Sequence, residues 1–244
     1  MMLQACLNGG RAPSDPARVP VTPGELARDA RAACAAGAQR LHIHPRDVDG
    51  AESLAPGDVA AALQAIHESV PGVPVGIGTG AWIAPGGRAR QGDIKGWSEL
   101  PDYVSVNLNE EDAPEVMALM VRAGIGIEAG IWSVADAKRY VGLKNCPPPL
   151  RILVEMPDVP GEAALADANA VMRILSQNGP KTPILLHGEG QSAWPCVEAA
   201  ARLGHQTRIG FEDVLTLPNG TPAPDNAALV AAARAILARE GHPA

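Results

Sequence analysis

The sequence LHIHPR at residues 41–46 sets the interpretation of this chain. It follows a helix-like segment and precedes a turn that contains glycine and aspartate, which predicts a short β-strand. Alternate side chains of a strand share a face, so His42 and His44 point to one side and Leu41 and Ile43 to the other. Two imidazoles on one face can bind one metal ion, and catalytic zinc usually takes three protein ligands. Two unconnected histidines in a strand are the alternative.

The same alternation of strand and helix extends along the chain. Thr22 is predicted to cap the first helix, with Pro23 at its first position and Glu25 completing a capping box. Strict alternation implies parallel strands. Eight such units, beginning with an apolar strand at Met2–Leu7, predict an α/β fold, a single-domain (β/α)₈ TIM barrel over residues 1–244. A doubly wound sheet is the alternative, but its glycine fingerprint is missing after the first strand.

Composition excludes several classes of function. The formal net charge of -7 argues against nucleic-acid binding, which depends on neutralising phosphates. No stretch approaches the roughly 18 continuous apolar residues of a membrane helix, and the first residues lack the pattern of a signal peptide. The four cysteines are widely separated, which favours a reducing, cytoplasmic compartment over a disulfide framework; they are Cys6, Cys34, Cys146 and Cys196.

Polar side chains gather at the predicted carboxyl ends of the strands, where a barrel of this type holds its active site. They are Asn8, His42, His44, Thr79, Asn107, Glu128, Glu155, His187, Arg208 and Glu212. Arg208 and Glu212 are an even number of residues apart, so they face the same side if the last strand continues as far as Glu212. Glu212 could then complete a His₂Glu zinc site. Arg208 and Asp213 are either a structural ion pair or a general base with its partner.

Two weaker signals accompany this set. Thr79 lies between Gly78 and Gly80 at the end of a predicted strand. Glycines in that position usually form a turn, although Thr79 and nearby backbone N–H groups could bind a carboxylate or phosphate. His187 is interpreted as a hydrogen-bonded structural histidine rather than a ligand.

Several of these motifs together resemble the β-keto acid cleavage enzymes. The resemblance covers almost the whole chain and is most specific in two motifs, HxHxR at residues 42–46 and RxGFED at residues 208–213. The segments at residues 8–10, 19–23 and 79–80 support it. It implies a (β/α)₈ barrel with zinc, assembled as a homo-oligomer such as a dimer or tetramer.

The resemblance also implies roles for residues. His42, His44 and Glu212 would bind Zn²⁺, and Asp213 would remove a proton with assistance from Arg208. The implied reaction condenses a small β-keto acid with the co-substrate acetyl-CoA, and a retro-Claisen cleavage then releases acetoacetate and a new acyl-CoA. The metal would act as a Lewis acid at the keto oxygen.

Three positions differ from the family pattern on the substrate side. Arg11 stands where an acidic residue is expected and Gly78 where a serine is usual. Gly130 replaces the second glutamate of a pair on the fifth strand, of which Glu128 is retained. Relative to the family pattern, the site loses two acidic residues and gains a cation, which predicts a substrate whose distal end is neutral or anionic. Arg11 is expected to pair with a distal carboxylate. Alternatively, Arg11 lies in solvent.

The predicted substrate-binding residues are therefore Arg11, Thr79, Ser105, Asn107 and Glu128. Two other functions remain open at this point. One is another metal-dependent barrel enzyme, an aldolase-like lyase or a hydrolase, which a requirement for acetyl-CoA would separate from the first. The other is a small-molecule-binding barrel that has lost catalysis, against which the retained Arg208, Glu212 and Asp213 weigh.

Overall fold

A computed structural model describes residues 1–11, 18–144, 148–178 and 181–242. Its eight strands all run parallel in one sheet of order β7-β6-β5-β4-β3-β2-β1-β8. The strands are β1 Leu3–Cys6, β2 Arg40–Ile43, β3 Val75–Gly78, β4 Tyr103–Asn107, β5 Gly126–Ile131, β6 Arg151–Met156, β7 Ile184–Gly188 and β8 Thr207–Ile209. Cys146 lies outside the described ranges.

The sheet curls into a nearly closed barrel. β8 pairs with β1 on one side, and on the other side Gln206, just before β8, exchanges backbone hydrogen bonds with β7: Leu186 N donates to Gln206 O at 2.9 Å and Gln206 N to Ile184 O at 3.0 Å. Neighbouring strands follow chain order all the way around, which is the arrangement of a (β/α)₈ barrel. The predicted barrel is confirmed, and the doubly wound alternative is excluded because its strand order reverses in the middle of the sheet.

Each strand is followed by a helix on the outside of the barrel. The helices in the described ranges are α1 Pro23–Ala35, α2 Pro56–Ser69, α3 Arg90–Lys95, α4 Ala113–Ala123, α5 Val134–Gly142, α6 Gly161–Asn178, α7 Ala193–Leu203 and α8 Asn226–Arg239. The predicted capping box is confirmed at α1, where the Thr22 hydroxyl accepts from Glu25 N and the Glu25 carboxylate accepts from Thr22 N. None of these helices is long and apolar enough to cross a bilayer.

Alternate strand residues form two layers. Leu41, Ile43 and Ile77 are fully buried members of the apolar core. The opposite faces meet inside the barrel, where Gln4 Nε2 reaches across from β1 to Glu128 Oε1 on β5 at 2.9 Å. Contacts between strands this far apart in the sheet can form only through the barrel interior, so the centre contains a polar layer beneath the carboxyl ends.

Gly210 is required where the chain leaves β8. A Cβ atom at this position would lie 1.9 Å from the backbone oxygen of Cys6 on β1, a distance that no backbone contact allows. We expect Gly210→Ala to lower the free energy of unfolding by roughly 1–3 kcal/mol, the usual cost of overpacking. Gly57→Ala is the matched control, because a Cβ at this helical position meets nothing within 4 Å. Urea unfolding measures both, and equal midpoints for the two variants would contradict the prediction.

Candidate active site

A cleft of about 570 Å³ opens at the carboxyl ends of the strands. All eight strands contribute to its lining, either through their last residues or through the segments that follow them. One residue from each, in strand order, is Arg11, His44, Trp82, Asn107, Trp132, Glu155, Glu189 and Glu212. The barrel therefore concentrates titratable side chains from distant parts of the sequence at one mouth.

Three potential metal ligands converge on the β2 and β8 side of the cleft. The Nε2 atoms of His42 and His44 lie 3.2 Å apart, and the Glu212 carboxylate oxygens lie 3.7 and 3.8 Å from them. Two nitrogens bound to one tetrahedral zinc ion at about 2.0–2.1 Å lie roughly 3.3 Å apart, so the spacing fits. Glu212 Oε2 is buried and has no hydrogen-bond partner in the part of the chain that the structure describes. This donor set fits a divalent cation.

Loops rather than strands complete this cluster. β2 ends at Ile43 and β8 at Ile209, so His44 and Glu212 lie just beyond their strands, and the condition that the last strand continues to Glu212 is not met. His44 is held instead by the carboxamide of Asn8, which accepts from His44 N and donates to His44 O, both at 2.8 Å. The backbone therefore keeps its direction for one residue beyond the strand, and both imidazoles still face the same point.

Glycines provide the room that these side chains occupy. A Cβ at Gly78 would lie 2.5 Å from the His44 ring, so the serine expected there from the family pattern cannot coexist with this ring position. A Cβ at Gly9 would lie 2.2 Å from the Glu212 side chain, and Gly9 also has a positive φ of 53°. The close packing of the cluster therefore requires glycine at both positions.

Arg208 is the fully buried cation of the site. Its Nη2 donates to Glu212 Oε1 at 2.8 Å and to Asp213 Oδ1 at 3.0 Å. Burial opposes ionisation of Asp213, but Arg208 and His187 outweigh it and hold the pKa of that carboxyl well below its usual range. Cys6 Sγ donates to the second Asp213 oxygen at 3.0 Å. Asp213 is therefore held ionised, and each of its two oxygens accepts a hydrogen bond.

His187 connects this group to a further carboxylate. Its Nδ1 lies 3.2 Å from Arg208 Nε and 3.6 Å from Asp213 Oδ1. Its Nε2 lies 3.1 Å from Glu155 Oε2. Burial and Arg208 lower the pKa of His187, but the adjacent carboxylates prevail and raise it to about 9. His187 is thus a bridge between two acids, which agrees with its interpretation as a hydrogen-bonded structural histidine.

Glu155 changes the expected charge of the cleft. A Cβ at Gly130 would lie 2.4 Å from Glu155 Oε1, so the carboxylate of Glu155 on β6 fills the space that a side chain on β5 would need. Gly130 removes an acidic position from β5, but the neighbouring strand supplies an acid at the same place, so this wall of the cleft remains acidic. Asp158 and Glu189 line the same β6–β7 side.

The predicted substrate-binding residues divide into two groups. Arg11, Ser105 and Asn107 line the cleft, and Arg11 is anchored there by its Nε, which donates to Phe211 O at 2.9 Å. Thr79 and Glu128 do not line it. The Thr79 hydroxyl turns away to donate to Ser105 O at 2.6 Å. Glu128 lies in the polar layer inside the barrel, 3.2 Å from Arg151.

Sequence analysis missed several cleft residues, among them Glu52 and Trp82. Glu52 Oε1 lies 2.5 Å from His44 Nδ1, and Glu52 Oε2 accepts from Trp82 Nε1 at 3.0 Å. Neither residue lies at a predicted strand end, and no periodic pattern marks them. The one available signal was an acidic residue eight positions after a potential histidine ligand, in the loop that follows it.

A parallel eight-stranded barrel with acids, histidines and a buried arginine at its carboxyl mouth has the architecture of a barrel enzyme. The chain matches the family model of the beta-keto acid cleavage enzymes over residues 1–244, and it belongs to that family. It is 27% identical over 252 residues to the 3-oxoadipate:acetyl-CoA acetyltransferase of Cupriavidus necator, covering 92% of this chain and 84% of that protein.

A second curated relative is the 3-keto-5-aminohexanoate cleavage enzyme of Acetoanaerobium sticklandii, 25% identical over 226 residues, which covers 87% of this chain and 82% of the enzyme. Among solved structures, ObcA in complex with oxaloacetate has a TM-score of 0.74 at 16% identity. That match covers 92% of this chain but 64% of ObcA. The 3-dehydroquinate dehydratase of Geobacillus kaustophilus has a TM-score of 0.63 at 13% identity and covers 98% and 92% of the two chains. These structures share the barrel fold with this chain.

Proposed function

We propose that this protein is a zinc-dependent enzyme that exchanges acyl groups between a β-keto acid and acetyl-CoA. The acetyl group joins the two-carbon carboxymethyl fragment to give acetoacetate, and the remaining acyl fragment leaves as its CoA thioester, so the atoms balance. The family supports the reaction type, because one curated relative is named an acetyltransferase that uses 3-oxoadipate and acetyl-CoA and the other is named a 3-keto acid cleavage enzyme. The single observation that carries the metal is the convergence of His42, His44 and Glu212.

The chain's own side chains have distinct tasks in this proposal. His42, His44 and Glu212 would hold a zinc ion, which would supply Lewis acidity to the keto group when bound. Asp213, held ionised beneath the cleft, accepts the proton removed from the β-keto acid. Arg208 orients both carboxylates through one nitrogen and keeps a positive charge next to the anion that forms. Because Arg208 lines the cleft and Asp213 lies behind it, Arg208 is the nearer of the two to substrate.

We propose that Arg11 binds a carboxylate at the distal end of the β-keto acid. Arg11 lies on the β1 side of the cleft, near the proposed metal ligands, whereas the acids Glu155, Asp158 and Glu189 line the β6–β7 side. A carboxylate is attracted to the first side and repelled by the second. The relative named for 3-oxoadipate, a 3-oxo-dicarboxylate, supports this orientation.

We further propose that the protein is a cytoplasmic homo-oligomer, a dimer or tetramer, as its family resemblance implies. Cys6, Cys34 and Cys196 are free thiols, which is consistent with a reducing compartment. The mass of the native protein by light scattering tests the assembly.

The metal is tested by elemental analysis of untreated protein. We expect near-stoichiometric zinc in the wild type and its loss in His42→Ala. The two ligands that remain in this variant are fewer than the three protein ligands that a catalytic zinc ion usually takes. His67→Ala is the matched control, since His67 lies on α2 and contacts the surface acids Glu99 and Asp102. Equal zinc in wild type and His42→Ala would exclude this site.

Asp213→Asn is expected to retain zinc and to lose turnover by roughly 10²–10⁴-fold, the contribution of a positioned general base. The assay follows acyl-CoA formation from acetyl-CoA, and a lack of dependence on acetyl-CoA would instead favour a lyase or hydrolase. Asp167→Asn is the control, because it removes an exposed carboxylate on α6, outside the cleft, and should keep the turnover. Full activity in folded, zinc-loaded Asp213→Asn would remove Asp213 as the base.

Substrate charge is tested with 3-oxo acids whose distal ends are carboxylate, methyl or ammonium. We expect kcat/KM to be highest for the dicarboxylate and to fall roughly 10–100-fold in Arg11→Ala, the value of a hydrogen bond between charged groups. The methyl substrate should change much less. Arg88→Ala, at an exposed surface ion pair, is the control. Preference for the ammonium substrate, or an unchanged ranking in Arg11→Ala, would contradict the role of Arg11.

A further inference from the structure

Glu52 makes two side-chain contacts that none of the proposed catalytic roles uses. One carboxylate oxygen lies 2.5 Å from Nδ1 of the proposed ligand His44, and the other accepts from the indole N–H of Trp82 at 3.0 Å. The Glu52 side chain is 14% exposed. A single, mostly buried carboxylate therefore joins the proposed metal cluster to an aromatic side chain at the cleft mouth.

The segment that carries Glu52 is itself held in place. Glu52 pairs with Arg46 in an antiparallel bridge, and Asp47 N donates to Ala51 O at 2.9 Å. The next residue, Ser53, donates its N–H to Pro45 O at 2.9 Å. The carboxylate therefore projects from a closed hairpin-like loop rather than from a freely moving one.

The first contact determines which nitrogen of His44 is available. An ionised carboxylate only accepts hydrogen bonds, so Nδ1 of His44 must carry the proton that it shares with Glu52. The lone pair of Nε2 is then directed at the cluster, where His42 Nε2 lies 3.2 Å away. A ligating histidine whose other nitrogen donates to a carboxylate is held in one tautomer and one ring orientation, and its basicity rises.

The two histidines differ in this respect. His42 Nδ1 is buried and has no hydrogen-bond partner within the described ranges. His42 is held by its place in β2, whereas His44 lies beyond the strand end and depends on side-chain partners, Asn8 for its backbone and Glu52 for its ring. Loss of the Glu52 contact should therefore free the ring of the ligand that the strand does not hold.

The second contact places Trp82. Its side chain is 61% exposed, and its ring lies over Gly80, where a Cβ atom would come within 2.4 Å of it. A large aromatic side chain so exposed needs a tether to keep one position, and the Glu52 carboxylate supplies an acceptor for its N–H.

We propose that Glu52 is a positioning residue that fixes the metal ligand His44 and, through its second oxygen, the aromatic wall formed by Trp82. The role in metal binding rests on the proposed function, whereas the geometry joining the three side chains does not. A carboxamide cannot replace this carboxylate. Its single oxygen accepts from one donor, but its NH₂ group is itself a donor and cannot accept from the other. Glu52→Gln therefore breaks one of the two contacts without a change in size and leaves the other with a neutral, weaker acceptor, so the contact with His44 is lost or weakened in either amide orientation.

The experiment measures zinc affinity by competition with a chelator in wild type, Glu52→Gln and Trp82→Phe. We expect Glu52→Gln to weaken zinc binding about 10–100-fold, the usual effect of removing such a partner. Trp82→Phe keeps the ring and the carboxylate–histidine contact, and a smaller loss is expected. Asp158→Asn is the matched acid-to-amide control at the cleft rim and should bind zinc like the wild type.

Two spectroscopic measurements separate positioning from a general loss of structure. In metal-free protein, the ¹H NMR spectrum of the wild type should show a strongly deshielded Nδ1–H proton for His44 that moves upfield or disappears in Glu52→Gln. Zinc titration should change the tryptophan fluorescence of the wild type, and Trp82→Phe should abolish that change. Unfolding midpoints of metal-free wild type and Glu52→Gln should be similar.

The outcomes distinguish the two proposals. If the wild type binds no zinc, the proposed metal function fails, and the deshielded proton still decides whether Glu52 fixes His44. If zinc binds equally well to wild type and Glu52→Gln, the positioning role is overturned while the metal site stands. A Trp82→Phe protein whose fluorescence responds to zinc like the wild type would overturn the role assigned to Trp82.

Discussion

The site depends above all on the charge of one buried guanidinium. Arg208 binds Glu212 and Asp213 through the same nitrogen, and all three side chains are largely withdrawn from water. An unpaired carboxylate at this depth would cost several kcal/mol, so the two acids are ionised together chiefly because Arg208 lies between them. The turn after β8 is therefore held in the conformation that carries Glu212 to His42 on β2 and to His44 just beyond it.

Close approach of these groups imposes a second constraint, which the glycines around the cluster satisfy. Gly9 leaves room for Glu212, Gly78 leaves room for the His44 ring, and Gly210 allows β8 to pass against the backbone of β1. Each stands beside a proposed functional residue rather than in a generic turn. A position that differs from the family pattern, such as Gly78, is therefore explained by packing and not by a change of chemistry.

Preorganisation of the cleft follows from the way its polar groups are held. Asp213 accepts hydrogen bonds on both oxygens, His187 connects Asp213 with Glu155, and Glu52 holds His44. Sites supported in this way keep their geometry through turnover, because the surrounding groups and not the reactants fix the rotamers. The acidic β6–β7 wall lies opposite Arg11, so a substrate whose two ends differ in charge is favoured in one orientation.

The sequence by itself determined the barrel, the capping box of α1 and the proximity of the HxHxR motif at residues 42–46 to the RxGFED motif at residues 208–213. Periodicity and caps are local properties, and parallel strands around one barrel necessarily bring their carboxyl ends together. Only the tertiary structure decided that Glu128 and Thr79 turn away from the cleft, that Glu155 replaces the acid missing at Gly130, and that Glu52 lies against His44. These outcomes depend on side-chain direction and loop conformation over distances of a few ångströms, which no spacing of residues along the chain specifies.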